Sequence, residues 1–178
     1  MRTGTGISVE PAEADDVDAL VEQWVALARE QRRHDTHILP DANRERIRRD
    51  FLSRVVADEL LVARESDGTP DSGADAPGVE CGIAGFVAFG RDRGRFEEDT
   101  ERGVVTNLYV RPDRRDAGVG TELLAATEQR LAERGVAVVA LEAMADNESA
   151  RRFYRRRGYA PHRMELEKRL NREDDDRS

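Results

Sequence analysis

The residues Val110-Arg111-Pro112-Asp113-Arg114-Arg115-Asp116-Ala117-Gly118-Val119-Gly120-Thr121 run from a β-rich apolar stretch into a helical pattern. A helix N-terminus there would present backbone N–H groups without partners and the positive end of the peptide dipoles, which together stabilise an anion. Gly118 and Gly120 would let a phosphate approach the backbone closely, and Arg114 or Arg115 would add formal charge. A pyrophosphate fits such a cradle. The segment is equally readable as a tight strand-to-helix turn whose glycines serve packing and whose arginines are solvated. It lacks the Gly-Lys-Ser/Thr ending of a triphosphate loop and the spacing of a dinucleotide fingerprint.

A second candidate is Glu142, set in the apolar run Val138-Val139-Ala140-Leu141-Glu142-Ala143-Met144. An unpaired carboxylate inside a strand is costly, and partial burial would raise its pKa toward that of a useful base. A structural pair with an arginine, or a strand end open to solvent, is the alternative. His34 and His37 lack an evident third ligand, so no metal site is expected. His162 follows Pro161 and reads as a surface histidine. Cys81 reads as a small buried side chain rather than a nucleophile, and a lone cysteine forms no intrachain disulfide.

These residues need elements to position them. Residues 7–10 alternate apolar and polar up to Pro11 and suit a first strand. Val17, Leu20, Val21, Trp24, Leu27 and Ala28 recur at helical spacing after an Asp15 or Asp16 cap, and Ile47, Phe51, Leu52, Val55 and Val56 mark a second helix over 41–57. Strands are expected at 60–64, 82–90, 104–110 and 138–144, with a Gly/Pro/Asp/Ser-rich hairpin loop at 66–80. A long helix over 118–134 stops at Gly135, another spans 148–157, and an extended segment 163–170 closes the order. The pattern β-α-α-β-β-β-α-β-α-β predicts a mixed α/β sheet whose later strands are joined through crossover helices, with ligands at strand carboxyl ends. One domain over 1–170 and an acidic tail, 171–178, is the expected organisation.

The chain has 178 residues, enough to bury a core around a sheet, with 38% hydrophobic and 37% charged residues. A formal charge of −8 and a pI near 5.1 argue against nonspecific binding to nucleic acid or an anionic membrane. Of 29 basic residues only Lys168 is lysine. That balance suits either a salt-rich cytoplasm or a GC-rich genome. No apolar segment of signal or membrane length opens the sequence, and a cytoplasmic location is expected.

Taken together, Arg115, Gly118 and Gly120, then Leu141-Glu142-Ala143, Asn147, and Arg152-Phe153-Tyr154-Arg155-Arg156-Arg157-Gly158-Tyr159 resemble the GCN5-related N-acetyltransferases (GNAT superfamily) over about residues 82–170. The resemblance implies a central splayed β-sheet flanked by helices and acetyl-CoA as co-substrate, with no metal. Its pyrophosphate would lie on Arg114, Arg115, Asp116, Ala117, Gly118, Val119, Gly120 and Thr121. Its pantetheine arm would meet the backbone of Leu108 and Val110 on one side and Asn147 on the other, where Asn147 can also cap the helix that follows. Tyr154 matches the family's proton donor to the departing thiolate, although it also shares a helical stripe with Ala150 and Phe153. Glu142 matches the position that acts as base in protein N-terminal acetyltransferases of bacterial type. The implied activity is direct acetyl transfer to a primary amine, on a small molecule or a protein. The alternative is a non-catalytic, regulatory acyl-CoA-binding domain. Acceptor choice would fall to 31–40, to 91–103 with Glu97, Glu98, Asp99 and Glu101, and to the surroundings of His162. Homodimers are common in the family.

Overall fold

The computed structural model describes residues 6–65, 82–92, 94 and 99–168. The expected hairpin loop 66–80, Cys81, Glu97, Glu98 and the tail 171–178 lie outside the described residues. The chain divides into two compact units, Met1–Met144 and Ala145–Ser178.

In the first unit the order is β1 (Ile7–Pro11), α1 (Val17–Gln31), α2 (Arg44–Ala57), β2 (Leu60–Glu65), β3 (Ile83–Arg91), β4 (Arg102–Val110), α3 (Val119–Glu133) and β5 (Val138–Leu141). The five strands form one sheet in sequence order; β1 to β4 pair antiparallel, and β5 returns parallel to β4 through the crossover helix α3. Only a helical connection brings a strand back in the same direction over so few residues.

The core explains the two-sided arrangement. Val17, Leu20, Val21, Trp24, Val25 and Ala28 form the inner stripe of α1, and they pack with Phe51 of α2 against Leu60, Val62, Phe86, Ala88 and Tyr109. The alternate strand residues Leu61, Ala63, Val87 and Phe89 are equally buried. By the twofold periodicity of a strand they face the other side, where α3 brings Leu123, Leu124 and Leu131. Burying side chains of this size contributes roughly 1.5–3 kcal/mol each. Phe51 and Phe86 meet edge to face at 5.4 Å. Buried Asp16, at the start of α1, accepts from Arg64 of β2 at 2.7 Å and from the Glu13 N–H at 2.8 Å, so the helix entry is tied to the sheet.

Local stop signals behave as expected. Gly135 adopts φ +83°, and the Val136 N–H donates to Leu131 O, closing α3 where the sequence predicts. In the second unit, α4 (Glu148–Arg156) is followed by Gly158 at φ +89°. No helix among the described residues is long and apolar enough to cross a membrane.

Two expectations need correction. Strand β5 ends at Leu141, not Met144, because its pairing with β4 stops at Val105↔Leu141. The described part of the expected closing strand, 163–168, has no regular secondary structure, and Met164 and Leu166 are exposed. Alternation makes a strand only where a partner satisfies the backbone.

The β3–β4 junction has no room at Gly85, where an added Cβ would sit 2.4 Å from the Tyr109 carbonyl oxygen; at Gly82 the nearest atom would be 3.7 Å away. Gly85→Ala is therefore expected to destabilise by about 1–3 kcal/mol in urea unfolding, with Gly82→Ala close to neutral. Equal midpoints for the two variants would contradict this packing.

Candidate functional site

The site begins with a strand whose second edge is paired, among the described residues, over only part of its length. Parallel pairing of β4 with β5 runs only from Arg102↔Val138 to Val105↔Leu141, while β4 continues to Val110. Its other edge stays paired with β3 through Asn107↔Ala88, Leu108↔Val87, Tyr109↔Phe86 and Val110↔Gly85. The Arg111 N–H donates to Ala84 O at 2.9 Å, so residue 111 addresses β3. Antiparallel alternation then directs the backbone of Tyr109 and Asn107 to β3 and that of Leu108 and Val110 to the open side. The Leu108 backbone and the Val110 N–H can pair there with an extended, amide-bearing ligand. The Val110 carbonyl already accepts from Arg115 Nε at 3.0 Å.

At the carboxyl end of β4 the chain makes a 3-10 turn, Pro112–Arg114, and then enters α3 through two left-handed residues, Asp116 (φ 61°) and Gly118 (φ 87°). Gly118 is the N-cap, and no side chain caps the helix. Among the described residues the N–H groups of 116–120 donate to no backbone carbonyl; the first inward bonds come from Thr121 and Glu122, both to Gly118 O, at 2.9 and 3.1 Å. A Cβ on Gly118 would meet nothing within 4 Å, so the space before these donors is open. Val119 is buried and anchors the turn, while Asp116, Ala117 and Gly118 are exposed. A helix N-terminus built this way suits an anion.

The two arginines are not simply solvated. Arg115 Nη2 donates to both Glu30 carboxylate oxygens at 2.8 Å, and its guanidinium carbon lies 5.9 Å from the centre of the Tyr109 ring. Arg114 Nε donates to Glu65, and that guanidinium holds the Glu65 carboxyl below its usual range. Neither acidic partner was visible in sequence, because they lie 85 and 49 residues away and no local spacing relates them.

Glu142 is exposed and lies beyond the end of β5. This corrects the expectation of a carboxylate buried in an apolar strand; of the alternatives open at that position, the solvent-facing strand end is the one observed. In the second unit Asn147 caps α4, its Oδ1 accepting from the Ala150 N–H at 3.0 Å, which leaves its amide NH2 for another acceptor. Tyr154 is half-buried, with the rings of Phe153 and Tyr159 centred 5.2 and 5.9 Å away. Burial pushes its phenol above the ordinary tyrosine value, so it carries its proton at neutral pH. His162 is exposed.

Ionisation gives a direct check on Tyr154. Because its folded pKa is raised, the associated stability is complete below the unfolded value of about 10 and is lost as pH rises through the folded value. In phenolate absorbance titrations, Tyr154→Phe is expected to remove a component with its midpoint above about 10. Loss of a component at or below that value would contradict the burial.

The profile of the Acetyltransferase (GNAT) family matches residues 21–159. A mycothiol acetyltransferase of Clavibacter sepedonicus is 35% identical over 159 residues, covering 86% of this chain and 43% of that protein, so this chain spans less than half of its relative's length. In fold, the chain is similar to a GCN5-related N-acetyltransferase from Ralstonia eutropha JMP134, with TM-score 0.68, 24% identity, and 93% and 99% of the two chains covered. The NatC complex bound to Gag peptide and CoA contains a chain with TM-score 0.62 and 16% identity, covering 88% of this chain and 86% of that one. The open edge of β4, the uncapped glycine turn after it and the profile match agree: the chain belongs to the acetyltransferase (GNAT) family.

Proposed function

We propose that this protein transfers an acetyl group from acetyl-CoA directly to a primary amine. The observation that carries the reading is the uncapped N-terminus of α3, opened by Gly118, at the carboxyl end of a strand whose free edge can pair with an amide-bearing arm. Family membership supports acetyl transfer, and the fold shared with a CoA-bound complex supports the donor.

Bound acetyl-CoA supplies the acetyl group as an activated thioester. In this reading the N–H groups of 116–120 hold its pyrophosphate, with Arg114, Arg115 and Thr121 alongside. Leu108 and the Val110 N–H align the arm, with the Asn147 amide as a further contact. Glu142, which matches the family's base position, takes the ammonium proton through water and leaves a neutral nucleophile. Tyr154, kept protonated by burial, gives its proton to the departing thiolate. No covalent enzyme intermediate is needed. The relative's name favours trying small-molecule acceptors first. Exposed Asp99 and Glu101 on the connection before β4 would attract a cationic amine.

The test is thiol release from acetyl-CoA across a panel of aminosugars, polyamines and peptides with free N-termini. Turnover is expected with at least one class. Tyr154→Phe should lower kcat roughly 10²-fold or more while the Kd for acetyl-CoA stays unchanged. Gly118→Val, strained at φ +87°, should instead weaken acetyl-CoA binding. Tight acetyl-CoA binding without product from any amine would replace this reading with a regulatory acyl-CoA-binding domain. If Tyr154→Phe and Glu142→Ala both keep full rate on a confirmed acceptor, the acid and base assignments fail.

A further inference from the structure

Arg115 is the cation nearest the cradle in sequence, yet its Nε and Nη2 donors are engaged elsewhere. Nη2 lies 2.8 Å from both Glu30 oxygens, Nε donates to the Val110 carbonyl at 3.0 Å, and the group stacks over Tyr109 at 5.9 Å. One side chain thus joins the turn to the last turn of α1 and occupies an acceptor on the open side of β4. Its charge is neutralised where a diphosphate would need it. The Glu30 carboxylate, with the partial negative charge of the α1 C-terminus, adds a field that repels a polyanion. Side-chain exposures of 43% for Arg115 and 33% for Glu30 leave both open to exchange.

We propose that Glu30 is a positioning residue of the donor site, a latch that holds Arg115 across the path of the CoA diphosphate and arm until the diphosphate takes the guanidinium over. The inference rests on the acetyl-CoA reading above. A diphosphate can displace the carboxylate because it brings more charge and is simultaneously held by the free N–H groups of 116–120, whereas Glu30 holds Arg115 by an accessible ion pair alone. The exchange has a second consequence. Glu30 is in the last turn of α1, directly before the 3-10 turn Arg32–His34 and the segment 35–40 assigned above to acceptor selection. Donor binding thereby frees the Glu30 side chain next to that segment.

The sign of the effect separates a latch from an ordinary support. A residue that merely presents Arg115 to the ligand would weaken binding when neutralised; a latch strengthens it. Calorimetry of acetyl-CoA with the full chain is expected to give a Kd about two- to five-fold lower for Glu30→Gln, the range set by an exposed ion pair. The gain should shrink at high salt and disappear in an Arg115→Ala background. Glu22→Gln removes the same charge from an exposed pair with Arg44 and should leave Kd unchanged. Hydrogen exchange in wild type should rise over 28–34 on adding acetyl-CoA, and should already be raised in free Glu30→Gln. Unchanged or weaker binding by Glu30→Gln, or the same gain without Arg115, overturns the latch alone. Wild-type protein that gives no heat with acetyl-CoA at any concentration removes the donor reading and the latch with it.

Discussion

A β-strand carries backbone donors and acceptors along two edges, and β4 has them both covered over only part of its length. Through Val105 it lies between β3 and β5; from Thr106 to Val110, among the described residues, only β3 remains. Everything distinctive about the site follows from that departure. The free edge leaves the Leu108 backbone and the Val110 N–H without a strand partner among the described residues, and the strand's carboxyl end feeds straight into the turn whose N–H groups donate to no backbone carbonyl. Two adjacent sets of unsatisfied donors at a sheet's carboxyl end are what a ligand with a charged head and an amide-bearing arm requires. The opposite side of the sheet holds this opening in place. Gly85 brings β3 so close to Tyr109 that no side chain fits between them, and Phe86 and Tyr109 join the core under α1 and α2.

Charge balance imposes a second constraint. The chain is net −8, yet its turn places Arg111, Arg114 and Arg115 within five residues of one another, beside the positive end of a helix. Left alone, those charges would repel each other and the dipole. Each is compensated: Arg111 by Asp113 at 2.7 Å, Arg114 by Glu65, and Arg115 by Glu30. Pairs this exposed contribute little to stability, about 0–1 kcal/mol each. In the proposed donor site that weakness would let loosely held partners be exchanged for a phosphate.

How much of this the sequence disclosed depends on whether a feature has a local cause. Gly135 was legible as a helix stop because a left-handed φ is a property of one residue, and the helix positions of α1 and α2 were legible because apolar spacing is a property of a few turns. The Asn147 cap was legible for the same reason. Features set by a distant neighbour were not. Glu142 sits in a run that reads as a buried strand, but burial depends on β4 still being alongside, and β4 has parted from β5 by then. Met164 and Leu166 alternate correctly for a strand and stand exposed, because alternation says which face is apolar and not whether another strand will pair. The partners of Arg114 and Arg115 come from β2 and α1, and nothing in the spacing of the turn could name them.

The near absence of lysine acquires a meaning at this turn, whatever its origin in the genome. An ammonium is a compact point charge on a flexible stem and would face one partner at a time from so short a distance. The Arg115 guanidinium is a planar fork with five donors, so it accommodates the Val110 carbonyl through Nε and both Glu30 oxygens through Nη2, while its face lies over Tyr109. The fork can also give up the carboxylate without giving up the ring, so the side chain need not swing freely between partners. Arginine at this position therefore does more than contribute charge: its geometry joins a strand edge, a helix end and the turn before α3 through a single group.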